Sequence, residues 1–295
     1  MREPPAWLTE LFDPPRRDVQ VGAWRQSVVD TGPGPSGKTV VLLHGNPTWS
    51  FLYRHLWEPL AAAGHRVIIP DHMGMGCSDQ PTDPSYYTAE RHASNLAAVL
   101  EALDVGKVTL LLHDWGGPIG MAWAVRNPER LERLVLANTV SFVPRRKKPL
   151  SLFHRVFASG AAYTIGTKVN VVGRVAMRFG TQSSLPPAVR KAYAWPLETT
   201  GGRVCAQRFV QLVPDGPDHP SVPLLQEVKD GMAGLAKVPV HVWWADKDPV
   251  FPPRFAEYWL RGLPHAQVEH VSQGGHFWQE DAAQPVLDRL LVAMA

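Results

Sequence analysis

The chain has 295 residues, of which 45% are hydrophobic and 19% are charged, and its formal net charge is +3. This composition supports a large buried core and excludes a chain that is disordered overall. Two cysteines, Cys77 and Cys205, are too few for a disulfide framework. No apolar run approaches the roughly 18 residues that span a bilayer, and no signal peptide is recognisable. We therefore expect a cytoplasmic protein without a transmembrane segment.

The first dozen residues, which contain Pro4 and Pro5, predict an irregular arm. Short apolar runs with turn residues close by then predict buried strands of a largely parallel sheet, and apolar spacing of three and four residues predicts helices between them. The alternation of strand and helix predicts an α/β fold with helices flanking the sheet. The predicted strands are residues 40–43, 67–69, 108–112, 134–136 and 240–244, and helices are predicted at 89–103 and 120–125.

The strand and helix rhythm stops near Val140 and resumes near Val238. About a hundred residues without secondary structure would be an improbable loop in a compact protein. We therefore predict a core domain made of residues 1–140 and 238–295, with a helical cap at 141–237. Such a cap would cover the carboxyl ends of the strands, where α/β proteins bind ligands.

A basic run, Arg145, Arg146, Lys147 and Lys148, lies in the predicted cap. No aromatic-interleaved nucleic-acid motif accompanies it, so we expect no nucleic-acid partner. The run is typical of a solvated charged surface, and an anionic partner or a lipid surface is the alternative.

The strongest local signal is the sequence Leu112-His113-Asp114-Trp115-Gly116-Gly117, in which an apolar strand leads into a glycine turn and a helix. This pattern predicts a nucleophile elbow with Asp114 at its apex. The position two residues before the nucleophile is usually small, and Leu112 departs from that pattern. The alternative is that Asp114 caps the N-terminus of the following helix.

A second signal, His44-Gly45-Asn46-Pro47, follows the predicted strand 40–43. In a fold with such an elbow, this loop contributes one backbone N–H to an oxyanion hole, and Trp115 contributes the other. An ordinary Gly-Asn-Pro turn is the alternative.

A base that titrates near neutrality is predicted at His276, in the sequence Gly274-Gly275-His276 after an apolar run. The chain order of the fold places the acid of the triad between nucleophile and histidine. Asp246 and Asp248 both follow the strand 240–244. We favour Asp248, because Pro249 holds the residue before it in an extended conformation, and we expect Asp246 to be a surface or capping residue.

Together the elbow, the loop His44-Gly45-Asn46-Pro47-Thr48-Trp49 and the terminal histidine resemble the haloalkane dehalogenases of the α/β-hydrolase superfamily. The resemblance is to the third dehalogenase subfamily, whose triad is Asp-His-Asp, and it covers the chain outside the N-terminal arm. It implies the α/β-hydrolase fold with an inserted helical cap, a triad of Asp114, His276 and Asp248, and a halide held by Asn46 and Trp115. The β-lactone decarboxylases of bacterial olefin synthesis share these residues, and the stretches 208–211 and 219–221 resemble that branch.

The resemblance implies a hydrolase that converts a small hydrophobic haloalkane and water into an alcohol and a halide ion through an ester on Asp114, with no cofactor. A carboxylate suits this reaction because it is already anionic at neutral pH. The alternatives are a β-lactone decarboxylase, an epoxide hydrolase using Tyr163 or Tyr193, and a non-catalytic receptor on the same fold.

Overall fold

The structure is a computed structural model that describes residues 2–147 and 158–294. Within these residues, eight strands form one sheet in the order β1-β2-β4-β3-β5-β6-β7-β8. Strands β3 to β8 pair in parallel, whereas β1 and β2 add an antiparallel edge. The strands are β1 Arg16–Val21, β2 Trp24–Asp30, β3 Thr39–Leu43, β4 Arg66–Pro70, β5 Val108–His113, β6 Leu131–Ala137, β7 Val240–Ala245 and β8 Gln267–Val271.

The central strands have the sequences that the parallel sheet requires. Every residue of β3 and β5 is buried, because helices cover both faces of a parallel sheet and leave no polar side. All five predicted strands are present, each extended by one to four residues. The largely parallel α/β prediction is therefore confirmed. The sequence analysis did not predict strands β1 and β2. Their polar residues, such as those of RRDVQV in β1, are typical of an exposed loop.

Helices lie between the strands and account for the remaining layers. The predicted helix 89–103 is α3, and the predicted helix 120–125 is the second half of α4. The helices are α1 Ala6–Thr9, α2 Trp57–Ala62, α3 Ala89–Ala102, α4 Gly116–Arg126, α5 Gly160–Gly166, α6 Val171–Phe179, α7 Pro187–Ala194, α8 Thr200–Gln211, α9 Val222–Gly231, α10 Ala256–Gly262, α11 Trp278–Asp281 and α12 Ala283–Met294.

The N-terminal arm is more ordered than its prolines suggest. It contains the one-turn helix α1, and both Leu8 and Phe12 are buried. The ring of Phe12 contacts Trp49 and Phe51 edge-on at centroid distances of 5.8 and 5.6 Å. Apolar burial therefore anchors the arm to the core, which its composition did not indicate.

The stretch between β6 and β7 contains α5 to α9. Its helices reach the functional end of the sheet at two points. The amide Nδ2 of Asn46 donates to the carbonyl of Ala206 on α8 at 3.2 Å, and the backbone N–H of Phe277 donates to the carbonyl of Gly180 at 2.8 Å. Lys148 of the basic run lies outside the described residues, and Arg145, Arg146 and Lys147 are exposed. None of the described helices has the length and hydropathy of a bilayer-spanning segment.

Candidate active site

Asp114 occupies a sharp turn between β5 and α4. Its φ of +50° lies in the left-handed region, which costs a non-glycine residue energy and is typical of a nucleophile elbow. The turn depends on neighbours without side chains, because a Cβ on Gly116 would lie 2.4 Å from the carbonyl oxygen of Leu43. Leu112 fits for a related reason: its Cδ2 would lie 2.4 Å from a Cβ on Gly120. The absence of a side chain at Gly120 therefore makes room for Leu112.

The carboxylate of Asp114 is held by backbone N–H groups. Oδ1 accepts a hydrogen bond from the N–H of Asn46 at 2.7 Å, and the N–H of Trp115 also donates to the carboxylate. Gly45 permits this approach, since a Cβ there would lie 2.1 Å from Oδ1. Helix α4 begins at Gly116 without a side-chain cap, so the helix-cap alternative does not describe this carboxylate. The two N–H groups form the arrangement expected of an oxyanion hole.

His276 lies between Asp114 and Asp248. Its Nε2 is 3.7 Å from Oδ2 of Asp114, and its Nδ1 is 2.9 Å from Oδ2 of Asp248. The three side chains come from the ends of β5, β7 and β8. They are almost excluded from solvent, with exposures of 8% for Asp114, 4% for Asp248 and 3% for His276. The structure therefore brings the three predicted triad residues together, in the order nucleophile, histidine, acid.

Asn138, directly after β6, is a site residue that the sequence analysis did not identify, because an uncharged side chain cannot be the acid of the triad. Its Nδ2 donates to Oδ2 of Asp248 at 2.8 Å, and its Oδ1 accepts from the N–H of Ala245 at 2.8 Å. Its own carbonyl accepts the N–H of Asp114 at 3.2 Å. With a φ of +44° and no exposure, Asn138 orients Asp248 and supports the elbow. Its place at the end of a parallel strand next to β5 was the signal available in the sequence.

The position of Asp248 follows from its turn. Oδ1 accepts hydrogen bonds from the N–H groups of Val250 at 2.6 Å and Phe251 at 3.0 Å. These bonds direct the other oxygen, Oδ2, to His276 and Asn138. Asp246, the alternative, is instead bound to Nδ1 of His270 at 2.6 Å on the surface.

Electrostatics separate His276 from the other histidines nearby. Burial lowers the pKa of His44 to about 4 and that of His113 to about 3, so both are neutral at physiological pH. Burial acts in the same direction on His276, but the charges of Asp248 and Asp114 and the hydrogen bond to Asp248 raise its pKa above the ordinary value of 6.5. Among these histidines, His276 is therefore the one whose protonated form the surrounding carboxylates stabilise, which suits a group that must take up a proton.

The pKa values of the two carboxylates shift in opposite directions. Burial raises the pKa of Asp114 above its ordinary value, although His276 and the N–H groups of Asn46 and Trp115 oppose the shift. Burial would also raise the pKa of Asp248, but the charge and hydrogen bond of His276, with the N–H groups of Phe251 and Val250, hold it below 3.8. Asp248 is thus the permanent anion that orients the histidine.

Asn46 and Trp115 both contact the Asp114 carboxylate with their backbone N–H groups, and each also carries a side-chain N–H donor. The amide Nδ2 of Asn46 carries two hydrogens, and Ala206 accepts only one of them. The indole N–H of Trp115 has no acceptor among the described residues, and its ring lies 5.7 Å from Phe209 of α8. Two N–H donors therefore remain for an anion formed beside Asp114.

A pocket of about 580 Å³ opens next to this site. Its lining includes Pro47, the residue after Asn46, together with residues of α6 and α7. The pocket lining does not include Asp114 itself. In the described part of the chain, no cluster of three or more His, Cys, Asp or Glu side chains is arranged to hold a metal ion.

Comparison with known proteins agrees with this geometry. The model of the alpha/beta hydrolase fold family matches residues 38–283, and the chain belongs to this family. More narrowly, the chain is a haloalkane dehalogenase-like enzyme of the family, as its relatives show.

These relatives carry two different names. A cis-3-alkyl-4-alkyloxetan-2-one decarboxylase of Shewanella oneidensis is 37% identical over 86% of this chain and 81% of its own length. Haloalkane dehalogenase 1 of Mycobacterium tuberculosis is 36% identical over 85% of this chain and 82% of its own length. The structure of a haloalkane dehalogenase from Paraglaciecola agarilytica superposes with a TM-score of 0.83 at 26% identity, covering 97% of this chain and 95% of that one. The predicted resemblance to both groups is confirmed.

Proposed function

We propose that the protein is a haloalkane dehalogenase-type hydrolase that cleaves a carbon–halogen bond through a covalent ester on Asp114. One observation carries the proposal. At the apex of the elbow stands a carboxylate whose Oδ1 is fixed by the N–H of Asn46 at 2.7 Å, while its Oδ2 faces His276 at 3.7 Å. A group that is already anionic can attack a saturated carbon, which a neutral serine hydroxyl cannot do readily.

In the first step, Oδ2 of Asp114 attacks the carbon that bears the halogen. A C–O bond forms, the carbon–halogen bond breaks, and the electron pair leaves with the halide. The indole N–H of Trp115 and the free amide hydrogen of Asn46 stabilise that developing charge where it appears. Oδ1 becomes the carbonyl oxygen of the ester and stays between the two backbone N–H groups.

In the second step, Nε2 of His276 takes a proton from water, and the resulting hydroxide attacks the ester carbonyl carbon. The negative charge on Oδ1 is held by the N–H groups of Asn46 and Trp115. Asp248 stabilises the imidazolium that forms. Collapse of the intermediate breaks the ester C–O bond, and the departing alkoxide takes the proton from the His276 imidazolium and leaves as the alcohol. The carboxylic acid formed at Asp114 then loses its proton, so the overall reaction consumes one water and yields one proton.

This scheme uses every member of the site. The geometry supports hydrolysis in particular because His276 is oriented by Asp248 and its pKa is raised by the charges of Asp248 and Asp114, which are the properties of a water-activating base. The small hydrophobic substrate, water and halide are the only ligands that the scheme requires. We further propose that residues 141–237 act as a cap on a cytoplasmic core enzyme and select the substrate.

A second candidate is a β-lactone decarboxylase, favoured by relatives at 37% and 35% identity that bear this name. In this reaction Asp114 would attack the ring carbon bonded to the ring oxygen, which breaks that C–O bond and gives an ester on Asp114 and a free carboxylate on the substrate. Loss of carbon dioxide from that carboxylate would then break the new ester C–O bond, leaving an alkene and restoring Asp114. Asn46 and Trp115 would then bind a carboxylate oxygen rather than a halide. The overall reaction consumes no water, so it makes no net demand on a water-activating histidine.

An epoxide hydrolase would need a tyrosine hydroxyl free to protonate the opening ring. Tyr193 instead donates its hydroxyl hydrogen to the buried carboxylate of Glu280. The geometry therefore does not favour Tyr193 as the acid of an epoxide hydrolase, which leaves Tyr163 as the candidate for that alternative. The complete triad argues against a non-catalytic receptor.

The decisive experiment is a substrate panel. Halide and proton release from 1-bromoalkanes and 1-iodoalkanes is measured beside alkene release from a long-chain cis-β-lactone, for the wild type and for Asp114→Asn. We expect halide release by the wild type, and an alkyl adduct on Asp114 when His276→Ala is treated with the same haloalkanes. If the wild type turns over only the lactone, the proposed dehalogenase activity is wrong and decarboxylation takes its place.

Trp115→Phe tests the anion site separately. It removes the indole N–H but keeps the ring and the backbone N–H, so halide departure should slow by about 10²–10³ while ester hydrolysis is preserved. Pre-steady-state halide bursts measure the first step and single-turnover loss of the ester measures the second.

A further inference from the structure

The charges of the protein are unevenly distributed along the chain. Between Glu132 and Glu198 the chain holds eleven of its 30 Lys and Arg residues and none of its 27 Asp and Glu residues. Because the whole chain carries a net charge of only +3, the remainder is net acidic. The positive charge is thus concentrated in this stretch, which suggests a role in binding something anionic.

The same stretch exposes apolar side chains on α5, on α6 and in the connection between these two helices. Ile165 is 57% exposed, Val169 44% and Phe179 61%. They are three of the seven large hydrophobic side chains that are exposed in residues 2–147 and 158–294, although they fall within 15 residues. Exposed apolar side chains that cluster in this way mark an interaction surface more often than scattered ones do.

Basic side chains lie beside them. On α6, Arg174 and Arg178 are exposed and one turn apart, and Phe179 is next to Arg178. The buried side of this helix is formed by Val172 and Gly173. Two arginines at this spacing repel each other within the helix. Neither forms an ion pair with a carboxylate of the described chain, so both remain available to an anion.

These arginines also border the pocket next to the candidate active site. Arg174, Arg178 and Arg190 line it together with Pro47, and no Asp or Glu is among its lining residues. The basic side chains therefore belong both to this exposed surface and to a pocket whose lining includes the neighbour of Asn46.

We call the exposed side chains of this region the docking face, which consists of Ile165, Lys168, Val169, Arg174, Arg178 and Phe179. We propose that the docking face binds the protein reversibly to the surface of an anionic lipid bilayer. The apolar members enter the boundary between head groups and acyl chains, and the basic members contact lipid phosphates. This binding is independent of the reaction at Asp114, and it places the pocket opening against the phase in which apolar molecules dissolve.

A bilayer accounts for both halves of the docking face. A nucleic acid or an acidic peptide would use the basic side chains but would gain little from an exposed phenyl ring and two exposed aliphatic side chains. A neutral apolar partner would leave the unpaired arginines desolvated without compensation. An anionic bilayer surface provides negative charge next to an apolar interior, which matches the composition of the docking face.

Co-sedimentation with vesicles tests this proposal. The full chain is mixed with phosphatidylcholine vesicles that contain about 30% phosphatidylglycerol and, separately, with pure phosphatidylcholine vesicles. We expect the protein to sediment with the anionic vesicles, to be released as the salt concentration rises, and to stay largely in solution with the neutral vesicles.

Two double variants separate the charged from the apolar contribution. Arg174→Gln with Arg178→Gln should weaken binding about 25-fold, at about fivefold for each arginine. Ile165→Ser with Phe179→Ser should weaken it about tenfold or more. Since all four side chains are exposed, the melting temperature and circular dichroism should stay close to those of the wild type.

The controls make equivalent changes elsewhere on the surface. Lys229→Gln with Lys237→Gln removes two exposed charges, and Val292→Ser removes the most exposed large apolar side chain, at 79%. Both controls should bind like the wild type. The proposal is overturned if the wild type does not bind anionic vesicles, or if the controls lose as much binding as the docking-face variants. It is also overturned if only the arginine variant loses binding, since that result indicates a site for a soluble polyanion.

Discussion

Asp248→Asn is the most informative single change in the candidate site, because the hydrogen bonds of Asp248 determine how an amide would sit there. Oδ1 of Asp248 accepts from two N–H groups, those of Val250 and Phe251, whereas Oδ2 accepts from Asn138 and His276. An asparagine will turn its carbonyl oxygen to the pair of backbone donors. Its NH₂ group then faces Nδ1 of His276.

That orientation forces the wrong tautomer on His276. With an N–H donor against Nδ1, the ring proton moves to Nε2, which faces Asp114 and can no longer accept a proton from water. With its carbonyl oxygen towards Val250 and Phe251, the asparagine places its NH₂ group against one other donor, Nδ2 of Asn138. In the flipped orientation the NH₂ group would face two donors, the N–H groups of Val250 and Phe251. Each such conflict costs about 1–3 kcal/mol, so the unproductive orientation is favoured by about that amount, which corresponds to about 5- to 150-fold. Loss of the charge beside the imidazolium adds a comparable factor.

We therefore expect hydrolysis of the ester to slow by about 10²–10⁴, while formation of the ester on Asp114 is little changed. Intact-protein mass spectrometry during turnover of a haloalkane should show the alkyl adduct accumulating, and stopped-flow halide detection should show a burst with unchanged amplitude. Asp246→Asn is the matched control, because Asp246 lies in the same turn but pairs with His270 on the surface. A loss of less than tenfold, or no accumulated ester, would refute this account of Asp248.

Three further results are expected. The rate of the hydrolytic step should rise with pH through the pKa of His276, which lies above 6.5, because only the neutral imidazole accepts a proton from water. Gly45→Ala should abolish both steps, since its Cβ would lie 2.1 Å from Oδ1 of Asp114, and haloalkane kinetics would show this. Arg54→Met should lower the free energy of unfolding by about 3–5 kcal/mol in urea titrations, because it leaves the buried carboxylate of Glu280 without its ion pair.

Each of these results has a control in the same chain. Gly106→Ala adds a methyl group where no atom lies within 4 Å, so its activity should match the wild type. Replacing Glu280 by Gln in the Arg54→Met background removes the unpaired charge and should recover much of the lost stability. If the rate of the hydrolytic step instead falls as the pH rises from about 6 to about 8, His276 does not act as the base.

The sequence by itself indicated the parallel sheet and the elbow for a simple physical reason. Strands buried on both faces, such as β3 and β5, must be continuously apolar, and a turn as tight as that at Asp114 must be followed by glycine. Local composition therefore carried both signals. It failed for the edge strand β1, which leaves polar side chains exposed, and for β2, whose polar residues Gln26, Ser27 and Asp30 are buried. It also failed for the arm, where Phe12 is buried only through distant partners such as Trp49.

Within the candidate site, the sequence proposed the residue types and their order along the chain: a carboxylate, an acid and then a histidine. Only the tertiary structure decided their geometry. It placed His276 2.9 Å from Asp248 rather than near Asp246, and it gave Asn138 a role because the ends of β5, β6 and β7 lie side by side. Distances between residues that are more than a hundred positions apart depend on strand order, which no local pattern encodes. The pKa of His276 likewise depends on burial and on two carboxylates that the fold brings beside it.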